Sequence, residues 1–169
     1  EPQEDVLPWL RRRIGRKSGA TLVNAAVGRA KGTGNLLVSD NNPTLSTLAD
    51  DWRKKVVRKN PSFREVRWNR RQEVRVTTLD ALIEEHGEPS FCKIDVEGHE
   101  AEVLAGLSQS IAMVSIEFVS GTLEIAEASI DRLESLGHYE YIVAYMFNNG
   151  QIMGDKKVGK RQLILQILK

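Results

Sequence analysis

The sequence predicts an α/β fold: a mostly parallel sheet with right-handed crossovers, finished by an antiparallel hairpin. Three observations carry this. From Glu73 to Leu136, strand-like and helix-like segments alternate, the pattern of β–α–β units. Near the end, "YEYIVAYMF" and "RQLILQIL" are strand-like runs joined by a loop with Asn148, Asn149, Gly150 and Gly154. That loop is too short for a crossover helix, so the two runs should be antiparallel. Finally, 169 residues with 41% hydrophobic and 28% charged side chains suit one globular domain, residues 1–169, with a core of its own.

Element by element, "EDVLPWLRRRIG" reads as a helix with Val6, Leu7, Leu10 and Ile14 on one face and Gly15 as its stop. Pro8 is compatible with it inside the first turn, where no backbone donor is needed. "TLVNAAVG" and "GNLLVSD" read as short strands, and "NNPTLST" as a loop. Arg53–Arg75 is dense in arginine and lysine, has few periodic apolar positions and is interrupted by Asn60-Pro61. It is expected to be a basic surface insertion, part helix and part loop. A strand then runs to Val76, and Thr77 or Thr78 caps a helix that places Leu79, Leu82 and Ile83 inward and closes at Gly87. The strand Phe91–Val96, the helix Glu100–Leu107 and the strand "MVSIEF" follow. "GTLEIAEASIDRLESLG" is an amphipathic helix with Leu123, Ala126, Ile130 and Leu133 on its stripe.

Composition narrows the function. A formal charge of +1 gives no global electrostatic reason to bind nucleic acid. The single cysteine, Cys92, excludes an internal disulfide and a cysteine-cluster zinc site, and reads as a small buried hydrophobe. No apolar run approaches 18 residues, so no membrane span is expected, and a cytoplasmic location is the default.

The most informative stretch is "FCKIDVEGHEAEVLAGL". Phe91, Lys93, Asp95 and Glu97 alternate along one side of a strand, about 6.5 Å apart; Cys92, Ile94 and Val96 form the apolar other side. Ligands of open parallel sheets bind beyond the carboxyl ends of the strands. Two carboxylates at a strand end, then Gly98 and a helix start, would crown such a crevice. Gly98 permits a tight turn or a positive φ. Glu100 reads as a residue favoured by the helix dipole, and Lys93 as a neutraliser of Asp95. His99 reads equally as a loop histidine or as a base. Glu117 ends the next strand and would lie beside Asp95.

These residues resemble the FkbM family of S-adenosylmethionine-dependent methyltransferases. The likeness lies in "VTTLDALIEEHG", "FCKIDVEGHEAEVLAGL" and "VSIEF", and more weakly in the opening "EP", "VNAAVG" and "LLVSD…STL". It implies a class I methyltransferase fold of the Rossmann-like kind, with a seven-stranded, mostly parallel sheet and S-adenosylmethionine as cofactor. It matches Glu1 to the acidic residue that holds the cofactor ribose, and Asn24 and Ala25 to the strand end near the adenine. Asp95, Glu97 and His99 fall at the catalytic edge of the fourth strand, and Glu117 at the end of the fifth. The family's glycine-rich first turn has no counterpart in the sequence. The expectation is therefore a domain truncated at its N-terminus, lacking the central first strand and unable by itself to bind the cofactor normally.

The working expectation is O-methylation of a hydroxyl on a sugar, glycan or small metabolite. Asp95 or His99 would take the proton, and Lys93 would tune Asp95 or steady the oxyanion. Two rivals stand beside it. Asp95, Glu97 and Glu117 could hold a divalent cation, or the basic stretch with Trp52, Phe63 and Trp68 could grip a polyanion.

Overall fold

The computed structural model describes residues 1–14, 19–142, 144–146 and 152–154. Helix α1 (Leu7–Ile14) is followed in the chain by the two-residue strand β1 (Ala26–Val27), and then by β2 (Gly32–Val38). Helix α2 (Asp50–Lys59) precedes β3 (Arg70–Thr77) and α3 (Leu79–His86). Then come β4 (Cys92–Ile94), α4 (Glu100–Ala105), β5 (Val114–Ile116), α5 (Leu123–Leu136), β6 (Ala144–Met146) and β7 (Ile152–Gly154).

Among the described residues, the strands form three small sheets rather than the single mostly parallel sheet expected from the sequence. In the first, β3 is central, parallel to β1 and antiparallel to β2 in a seven-pair ladder from Gly32–Val76 to Val38–Arg70. In the second, β4 and β5 run parallel, with Ile94 opposite Ile116 and α4 as the crossover. The third is the antiparallel pair β6–β7. β6 lies within the expected strand "YEYIVAYMF", but its partner here is Ile152–Gly154, inside the expected loop. "RQLILQIL", the partner expected from the sequence, lies outside the described residues, as does the expected stop at Gly15.

Strand length explains the division. Val23 O accepts from both the Glu1 ammonium (3.1 Å) and Ala25 N–H (3.0 Å), so most of "TLVNAAVG" makes no ladder. β4 stops two residues short of Val96 because the Val96 N–H goes to the Glu100 carboxylate (3.3 Å) rather than to a neighbouring strand.

Arg53–Arg75 is woven into the fold. Its helix α2 buries Trp52 and Val56 while its lysines stay outside, and Lys55 reaches Glu124 of α5 at 2.9 Å. Residues from Arg70 onward form most of β3, the strand with a neighbour on each side. Arg71, Glu73 and Arg75 alternate along the solvated face of β3, which hid its central position; Val74 is its buried interior anchor.

Two apolar clusters result. Ala26, Leu36, Val38 and Val74 close one face of the first sheet. Leu79, Ile94, Val103, Leu104, Leu107, Ile111 and Leu133 pack α3, α4 and α5 onto β4, with half-buried Cys92 at the margin. Each wholly buried leucine here contributes about 1.5–3 kcal/mol of transfer free energy. Thr78 caps α3 by accepting the Ala81 N–H (3.1 Å), one of the two threonines expected to do so. The halves meet backbone to backbone: a Cβ on Gly106 would overlap the Gly28 carbonyl oxygen. Gly106 O in turn accepts the Asp80 N–H at 3.1 Å. Among the described residues, no helix is long and apolar enough to cross a membrane.

Candidate active site at the ends of the parallel strands

The register of β4 on β5 sets Asp95 and Glu117 side by side, each one residue past the paired isoleucines. Glu117 N–H donates to Ile94 O at 3.2 Å, holding the two strand ends together. Lys93 makes an ion pair with Asp95, and its Nζ lies 3.9 Å from Glu117. All three side chains are about half exposed, so this group is open to solvent at its rim.

Beyond Asp95 the chain reverses sharply. Glu97 has φ 52° and Gly98 φ 88°, both left-handed. For a non-glycine residue that conformation costs roughly 1–2 kcal/mol. Two contacts hold it. Glu97 O accepts the Thr47 hydroxyl at 2.7 Å, and the indole of Trp52 covers Gly98 so closely that a Cβ there would overlap it. Glu100, only 3% exposed, accepts the N–H groups of Val96 (3.3 Å) and Gly98 (3.2 Å), tying the turn to the start of α4. The sequence suggested a capping or dipole-favoured residue there; the structure buries it, with its carboxylate on the backbone donors of the turn.

The electrostatics follow from this crowding. Burial raises Glu97 to about 7, with the charges of Asp95, Glu117 and Glu100 adding and Lys93 opposing. Burial also raises Glu117, reinforced by the charge of Asp95 and a hydrogen bond with it. Glu100 is raised by burial, against the pull of its backbone donors. Asp95, Glu97 and Glu117 line one cleft whose apolar wall is Trp52, Phe118, Val119 and Ile125. Its free volume is about 10 Å³, room for a single water at most.

His99 points elsewhere. Its Nε2 lies near Gly28 at the end of β1, 3.4 Å from where a Cβ there would be, and it does not line the cleft. Burial lowers its pKa, with Glu102 opposing, so neutral imidazole is favoured. Glu1 and Asn24 are brought close by the Glu1 ammonium on Val23 O. The Glu1 carboxylate accepts the Gln3 N–H at 2.7 Å, while Asn24 is exposed and Ala25 buried. A larger hollow of about 460 Å³, between β2, β3 and α3, contains none of these residues.

Sequence reasoning missed Thr47, for which a lone threonine in a loop gives no signal, and the part played by Trp52. Trp52 and Val56 at helical spacing in "DDWRKKVVRK" mark a buried stripe that the surrounding cations obscured.

A family model described as the methyltransferase FkbM domain matches residues 1–150. The chain belongs to the FkbM methyltransferase family. No curated protein and no solved structure matches it significantly. As a family, FkbM methyltransferases are S-adenosylmethionine-dependent. The family match covers both halves of the domain, including the carboxylates at the ends of β4 and β5. Drug-sized ligands occupy pockets of roughly 300–1,000 Å³. The described walls around Asp95 enclose far less, so this FkbM domain offers the cofactor no formed seat there.

The rival assignments fare differently against the geometry. Among the described residues, no group of three His, Cys, Asp or Glu side chains is arranged to hold a metal ion. Lys93 already sits between Asp95 and Glu117, where a cation would be needed. Trp52 is 3% exposed and stacked edge-on by Phe63 (5.7 Å) and Trp68 (6.3 Å). Trp68 Nε1 donates to Leu45 O at 2.7 Å. These rings anchor the segment internally rather than offer faces to a polyanion.

Proposed function

We propose that this FkbM domain serves O-methylation, its cleft receiving a hydroxyl of a neutral sugar, glycan or small polyol. The observation that carries the reading is the shared cleft of Asp95, Glu97 and Glu117 at the ends of two parallel strands. Four carboxyl groups surround it, counting Glu100, against the single ammonium of Lys93, a field unfavourable to an anionic acceptor.

The chain's own residues account for the acceptor side. A base with a pKa near the working pH is the most effective proton acceptor, and Glu97 at about 7 meets that condition. Asp95, paired with Lys93, orients the hydroxyl and keeps the local charge balanced. Lys93 Nζ is placed to steady negative charge developing on the acceptor oxygen. His99 would act from the β1 side, next to Gly28, and not from within the cleft. Glu1, Asn24 and Ala25 are proposed for the cofactor's ribose and adenine, supported by the proximity of Glu1 to Val23. The cofactor supplies the methyl group.

The test supplies millimolar methyl-labelled S-adenosylmethionine with a panel of neutral sugars and polyols. Label is expected on oxygen, with turnover falling roughly 100-fold or more in D95N and E97Q and cofactor affinity unchanged. Calorimetry on residues 1–169 should find weak cofactor binding, with Kd about 1 mM or above. Label on nitrogen acceptors alone, or on none, overturns the reading; equal loss of turnover and cofactor affinity in D95N would make Asp95 a binding residue.

A further inference from the structure

Two residues outside the acidic motif hold the turn on which the cleft depends. Thr47 is 1% exposed, and its backbone exchanges hydrogen bonds with Leu37 of β2 at 2.7 and 2.9 Å, fixing it to the long ladder. Its hydroxyl donates to Glu97 O (2.7 Å) and accepts the Ala49 N–H (2.8 Å) at the entry to α2. One turn into α2, the indole of Trp52 rests on the bare α-carbon of Gly98. A left-handed non-glycine residue persists only where its surroundings over-determine it, and these contacts approach the Glu97–Gly98 turn from two sides. The charged groups facing Glu97 are Asp95, Glu117, Glu100 and Lys93. Of these, Glu100 secures the N–H groups that flank Glu97, at Val96 and Gly98, while the Thr47 hydroxyl secures the Glu97 carbonyl itself.

We infer that Thr47 and Trp52 are positioning residues, a clamp rooted in β2 and α2 that fixes the left-handed turn and directs the Glu97 carboxylate into the cleft beside Asp95 and Glu117. The clamp takes its catalytic meaning from the acceptor-side reading above. Its test reads the carboxyl itself and needs neither substrate nor cofactor.

In protein labelled with ¹³C at the glutamate carboxyl carbons, the Glu97 resonance is followed through pH in the parent, T47V and T47S. T47V keeps the shape of the side chain and removes the hydroxyl. Its Glu97 midpoint should drop by about one unit or more toward that of a free glutamate, with the circular dichroism spectrum unchanged, and T47S should restore it. A T47V midpoint indistinguishable from the parent, or a T47S midpoint that stays low, overturns the clamp. If T47V does not fold, W52F is read instead: a Glu97 midpoint about one unit or more below the parent supports the clamp, and an unchanged midpoint overturns it. An unchanged Glu97 midpoint in protein that transfers methyl groups sinks the clamp alone. A shifted midpoint in protein that methylates nothing sinks the functional reading alone.

Discussion

The β2–β3 ladder and the β4–β5 pair use the same backbone groups to opposite ends. In the ladder, seven consecutive pairs satisfy the strands along their whole length, and no left-handed residue interrupts them. In β4–β5, three pairs suffice before the chain turns through two left-handed residues, and its donors go to a buried carboxylate. The first arrangement gives rigidity without chemistry. The second gives up ladder bonds to bring acidic groups together at a strand end, and draws its stability from Thr47, Trp52 and Glu100. The strand end proposed to be functional is thus held from the side, by the region that is regular.

The sharpest way to break the comparison is an alanine in each region. G98A meets the Trp52 indole and a positive φ together, and should cost about 3–5 kcal/mol in urea denaturation. Next in size is E100A, which leaves the N–H groups of Val96 and Gly98 without their acceptor and should cost about 2–4 kcal/mol by the same measurement.

A smaller effect concerns pH. The Glu97 carboxyl is raised from 4.5 to about 7, so between those values the folded chain holds a proton that the unfolded chain releases. Its contribution to stability therefore falls as pH rises through that window and is recovered as pH falls. The urea midpoint of E97Q, compared with the parent from pH 4.5 to 7, should lack that decline; parallel curves would show that Glu97 titrates normally. Smallest is G34A in β2. Its new Cβ meets only the movable side-chain ends of Leu48 (3.1 Å) and Val76 (3.2 Å), and the change should stay within about 1 kcal/mol of the parent.

What the sequence made legible follows the same division. α5 was readable because Ala126, Ile130 and Leu133 sit at helical spacing, and the helix buries all three together with Ser129. α3 was readable from its threonine cap, and β4 and β5 from apolar runs that each end in an acid. β3 was only partly readable, since a strand solvated on one face and studded with arginine carries little apolar pattern. The division into three sheets was not legible either, because pairing partners are decided by long-range contacts. At the site, Lys93, Asp95, Glu97 and Glu117 were found by alternation and strand-end position, and they share one neighbourhood. His99 could not be separated from them, because alternation says nothing once a strand has ended. The burial of Glu100 and the support from Thr47 escaped for another reason: they depend on segments about fifty residues apart in the chain meeting at one turn.

The contact of Gly106 with the Gly28 carbonyl has a mechanical consequence. With no side chain between them, the end of β1 and the C-terminal end of α4 meet without compressible padding. Gly106 O also accepts the Asp80 N–H at the head of α3, so β1, α4 and α3 converge on one glycine. Any larger residue at position 106 would wedge the end of β1 away from α4.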